Sequence, residues 1–142
     1  MNPRQVELVQ QSFARTKPIA AHVAATFYAE LFALEPSLRP MFKGDMIVQG
    51  DKLMRMLAHV VDALTNPPAL LPAVQALAIK HLSYGVEARH YALVGTALLR
   101  TLRHELGAEF TLEAREAWSA ALKLLSQAMC EAAYGKAPVA SR

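Results

Sequence analysis

At 142 residues with a single cysteine, the chain is long enough to bury a core as one domain, and no intrachain disulfide framework can form. Its 15 lysines and arginines against 12 acids are scattered over several faces, which excludes a nucleic-acid footprint; no apolar run approaches the roughly 18 residues that signal a membrane span. No charged-then-apolar leader opens the sequence, so a cytoplasmic protein is expected.

Nearly every long segment repeats its apolar residues with period 3.6, and alanine and leucine outweigh β-branched residues, so the fold class is all-α. Asn2 caps a first helix that opens on Pro3 and runs to about Pro18, where the proline allows a turn or a kink. A second helix follows from about Ile19 to Leu34. Pro36 and Pro40 then permit only a short helix up to Phe42, and Lys43-Gly44-Asp45 forms a loop that continues as a flexible-looking stretch through Gly50.

The next helix begins near Gln49 with the stripe Leu53, Met56, Leu57, Val60, Val61 and Leu64, and stops at Asn66-Pro67-Pro68. Val74, Leu77, Ala78 and His81 mark the buried face of a further helix ending near Tyr84-Gly85. Tyr91, Val94, Leu98 and Leu102 belong to a long helix from about Ala88 to Leu106, closed by Gly107. Thr111 caps the last helix, whose stripe Trp118, Leu122, Leu125 and Met129 leads to about Tyr134, in front of Gly135. Cys130 lies in this apolar pattern as a small hydrophobe. Seven or so helices form a domain over residues 1–135, and residues 136–142 are expected to be a disordered tail.

His81 closes an apolar stripe, so its imidazole points toward the core, either as a hydrogen-bonded packing residue or as an iron ligand. Tyr28 stands in the second helix, and Gln49 shares a helix face with Leu53. A buried hydroxyl or amide without a partner costs about 1 to 3 kcal/mol, and a small polar ligand would be one such partner. Viewed singly, Phe42 is core filler, Tyr28 is free to bond a backbone carbonyl, and Gln49 suits a solvated first helical turn.

Taken together, TFYAELFALEPSLRPMF (26–42), Gln49, Leu53 and AIKHLSYGVEARHYALVG (78–95) resemble bacterial haemoglobins, above all the globin domain of flavohaemoglobins and their single-domain relatives. The similarity runs from about Val6 to Trp118. It implies the globin fold around haem b (iron protoporphyrin IX), with His81 as the proximal metal ligand and Phe42 stacked on the porphyrin. Tyr28, Gln49 and Leu53 would form the distal pocket, the first two donating to dioxygen and the third limiting access. Leu57, Val74, Leu77 and Tyr91 would complete the cofactor contacts. Lys80 is either a propionate neighbour or a solvated surface lysine. His22, His59, His90 and His104 are expected to be surface or structural residues.

Two departures stand out. The resembled domains support the proximal histidine with a tyrosine, matched by Tyr91, and with a carboxylate on the last helix. Counted from Trp118, the carboxylate's position is Ala133, and the nearest acid, Glu131, lies about 200° away around the helix. The imidazole is therefore expected to bond a backbone carbonyl such as that of Leu77. No Gly-rich dinucleotide fingerprint occurs, so sustained redox turnover would need a separate reductase.

The resemblance therefore implies reversible binding of dioxygen, and of NO and CO, for delivery, storage or buffering. A nitric oxide dioxygenase or weak peroxidase served by an external reductase is the second reading. A haem-based gas sensor or a haem-free helical interaction module is the third.

Overall fold

The computed structural model describes residues 1–83 and 86–134, without the side chains of Pro67, Lys80, Leu82, Ser83 and Tyr134. Among these residues there are six α-helices, three short 3₁₀ segments and no strand. The expected helix end at Tyr84-Gly85, the side chain of Lys80 and the tail 136–142 lie outside the described residues.

Helix α1, Pro3–Ala14, opens with reciprocal caps: the Gln5 N–H donates to Asn2 Oδ1 at 2.8 Å, and the Asn2 N–H donates to Gln5 Oε1 at 3.1 Å. It ends four residues short of Pro18, because a proline has no N–H to offer the Ala14 carbonyl; a 3₁₀ segment, Lys17–Ile19, takes over. Helix α2, Ala20–Leu34, leads into the 3₁₀ segment Pro36–Met41.

Helix α3 spans Met46–Ala63 and so begins three residues before the expected Gln49. Asp45 is the reason: its carboxylate accepts the Ile47 N–H at 2.8 Å, a cap that starts the helix before its apolar stripe does. Gly50 consequently lies inside α3 rather than in a loop. It is buried at the crossing with α2, where an added Cβ would stand only 2.9 Å from Ala24 Cβ.

Helix α4 is Pro67–Ser83; Pro67 and Pro68 stand in the first turn, where a missing N–H costs nothing, while Pro72 lies inside the helix. Helix α5 is Ala88–Leu106, and Gly107 ends it at a φ of 55°, a conformation suited to glycine. Thr111 Oγ1 accepts the Ala114 N–H at 3.1 Å at the start of α6, Leu112–Tyr134.

Helix α2 packs on α5 and α3, while α6 packs on α1, α4 and α5. The main core gathers Val9, Phe27, Leu31, Leu98, Leu102 and Trp118 with their neighbours. Trp118 Nε1 donates to Ser12 Oγ at 2.7 Å, and that hydroxyl in turn donates to the Leu8 carbonyl at 2.6 Å, so the one polar edge of the indole is satisfied in the core. A second, smaller cluster joins Val74 and Ala78 of α4 to Met129 of α6.

Candidate functional site

The sequence-expected residues fall into two groups. The first group lies around α2, which contributes Tyr28, only 6% exposed, whose ring meets Phe27 at 5.1 Å, Phe42 at 5.3 Å and Phe32 at 5.9 Å between centroids. Phe32 and Phe42 lie 5.4 Å apart, edge to face. The Arg39 guanidinium covers the outer side of Phe32 at 5.3 Å from its centroid. Phe32 had no assigned role in the sequence, although its spacing of one helical turn from Tyr28 was the available signal.

The Tyr28 hydroxyl needs a partner at this depth and has one in the side chain of Gln49, reaching across from α3. Burial pushes the phenol above its ordinary value and the Gln49 hydrogen bond draws it partly back, so the hydroxyl keeps its proton and can donate. Gln49 is half-buried rather than a solvated first-turn residue. Leu53 and Leu57, further along α3, rest on the main core with part of their surface uncovered.

The second group lies on α4. His81 is half-buried, and its Nδ1 lies 2.8 Å from the Leu77 carbonyl four residues earlier. A carbonyl only accepts, so Nδ1 carries the proton and Nε2 is left as the basic nitrogen. The Tyr91 ring stands 6.5 Å from the imidazole, tilted by 57°. Leu77 is half-buried and also lines an open, mainly apolar cleft along the α3–α4 seam with Met56, His59, Val60, Ala73 and Ala76.

Val74, 1% exposed, packs with Ala78 and Met129, toward α6. Ala133 packs against this same cluster, whereas Glu131 is exposed to solvent. The acceptor facing the imidazole is thus a backbone carbonyl, as the sequence implied. His90 is buried at the start of α5, where Nδ1 accepts the Glu87 N–H at 2.8 Å, a structural role. Burial pushes the Cys130 thiol up, with a Ser126 hydrogen bond opposing it.

An imidazole with Nδ1 anchored on a carbonyl and Nε2 left over suits a metal held inside a planar ring. The half-covered Phe42, Leu53, Leu57 and Leu77 suit the flat apolar faces of that ring. No helix among the described residues is long and apolar enough to cross a membrane.

Comparison with known proteins yields concordant matches. The family model described as Globin matches residues 25–129. A flavohemoprotein of Bordetella parapertussis is 33% identical over 124 residues, covering 85% of this chain and 31% of the relative. One from Vibrio cholerae is 28% identical over 130 residues, covering 89% of this chain and 33% of the relative. One from Bacillus anthracis is 28% identical over 131 residues, covering 90% of this chain and 32% of the relative. The chain spans about a third of the length of these relatives.

Proposed function

Because the chain belongs to the globin family, which implies a haem cofactor, we propose that it holds haem b through His81 and binds dioxygen reversibly beside Tyr28 and Gln49. The observation that carries this is the His81 ring: Nδ1–H on the Leu77 carbonyl fixes the tautomer and leaves Nε2 as a ligand nitrogen. Haem, when bound, supplies the iron to which a diatomic gas bonds.

The residues of the chain do the rest. Phe42 and Leu77 give the ring apolar surface, and Leu53 narrows the approach. The Tyr28 hydroxyl, kept protonated by burial, donates to a ligand that carries partial negative charge; Gln49 either shares that task or holds the tyrosine in place. The same pocket takes NO and CO with less dependence on these donors, since neither accumulates as much negative charge.

Binding is favoured over oxygen activation by Ala133. A carboxylate hydrogen-bonded to the proximal imidazole would push electron density toward the metal, and here the imidazole has a neutral carbonyl instead. Nitric oxide dioxygenation remains the second reading and would draw electrons from a separate reductase. Absorbance of the purified protein tests the proposal: a Soret band, and a reversible shift of the ferrous spectrum on adding and removing oxygen, are expected. Colourless protein that refuses haemin would overturn it. NO consumption with a nicotinamide and a generic reductase, faster than that of free haem, would move the assignment to the enzyme.

A further inference from the structure

On the face where α2 meets α5, a carboxylate is enclosed with no lysine or arginine paired to it among the described residues. The Glu105 side chain is only 5% exposed. Its Oε2 accepts from Thr26 Oγ1 at 2.9 Å, and its two charged neighbours are imidazoles: His22 Nε2 at 3.2 Å and His104 Nε2 at 3.9 Å. An imidazole carries charge only when protonated, so neither neighbour is a permanent cation. Burying an ionised carboxylate is costly unless a cation accompanies it.

We propose that His22, His104 and Glu105 form a binding site for a divalent first-row transition metal ion of the zinc type, bridging α2 and α5. The donor set, two imidazoles and one carboxylate, is one that borderline-soft ions prefer over calcium or magnesium. The spacing agrees: with bonds of about 2.0 to 2.2 Å, two ligands on a tetrahedral zinc stand about 3.3 Å apart. The observed 3.2 Å from His22 matches that edge, and the 3.9 Å from His104 exceeds it slightly. No three His, Cys, Asp or Glu side chains among the described residues already stand where they could hold a metal ion, so His22 and His104 must move to reach one. Both imidazoles are free to close, being 68% and 71% exposed, while Glu105 provides the fixed, buried anchor. Thr26 Oγ1 orients the carboxylate from behind, and the remaining coordination position is open to water.

This site is separate from the candidate haem pocket. Thr26 and Tyr28 are two residues apart on α2, about 200° around the helix, so one faces Glu105 while the other faces Phe42 and Gln49.

The test is a titration of tag-free protein as purified, stripped with a chelator, with zinc chloride by isothermal calorimetry at pH 7.5. One equivalent should bind, with affinity reduced at least about tenfold in His22→Ala and in His104→Ala and unchanged in His59→Ala. Zinc should raise the thermal midpoint of the wild type but not of the double variant His22→Ala/His104→Ala; both positions are exposed, so these variants fold. Lowering the pH to 5.5 should weaken binding by at least about tenfold, as protons compete for both imidazoles. Absence of binding at millimolar zinc overturns the proposal, as does one-equivalent binding that survives both histidine substitutions.

Discussion

The two residue groups that would wall the proposed haem pocket satisfy their polar groups in different ways. On the Tyr28 wall, a side chain from α2 finds its partner on α3, so the hydrogen bond exists only while those helices cross closely. On the His81 wall the partner is a carbonyl of the same helix, one turn back, available wherever α4 is helical. Ligand chemistry on the first wall would therefore depend on tertiary packing, and metal ligation on the second on local structure.

The largest effect separating them should come from His81→Ala, which removes the basic nitrogen and should abolish haem retention through gel filtration, read as loss of the Soret band. Retention of one equivalent would assign the ligand elsewhere. Tyr28→Phe leaves ligation intact and removes one donor to a partially charged ligand, a loss of about 1.5 to 3 kcal/mol. Oxygen dissociation measured by stopped flow should then accelerate by about ten- to a hundredfold. An unchanged rate would take Tyr28 out of the pocket.

Gly50→Ala attacks the crossing on which the first wall depends. Its Cβ meets Ala24 at 2.9 Å, so the helices must separate, and stability in denaturant should fall by about 1 to 3 kcal/mol with faster oxygen release. Unaltered unfolding would mean that the crossing gives without cost. On the second wall, the ferrous iron–histidine stretching frequency should lie below that of peroxidase-like haems and rise in Ala133→Glu. A high native value would show that a carboxylate reaches His81 after all.

The smallest effect is alkaline. The folded-state value of Tyr28 is raised, so above pH ~10 the unfolded chain loses its phenolic proton while the folded one retains it. Stability should decline through that range, and the decline should be shallower in Tyr28→Phe by pH-dependent thermal melts.

Helix order and most boundaries were legible because prolines, glycines and the 3.6 period act locally. The start of α3 was not, since Asp45 caps it in front of Ile47 and Val48, apolar residues that face solvent, Ile47 being 82% exposed. His81 and its bond to Leu77 followed from spacing within one helix. The mutual bonding of Tyr28 and Gln49 did not, because it depends on how closely Gly50 lets α2 approach α3. Val74 was assigned by the face it shares with Leu77, yet the arrival of Met129 from α6 decides what it touches. The pairing of Glu105 with His22 and Thr26 likewise joins segments that no local pattern connects.

The indole of Trp118 and the hydroxyl of Ser12, 106 positions apart, has a bearing on biogenesis. Helix α1 cannot dock on α6 until the segment around Trp118 has been translated, so that seam closes only after all the intervening chain exists. Nascent chains stalled short of this tryptophan would expose the apolar side of α1 to chaperones.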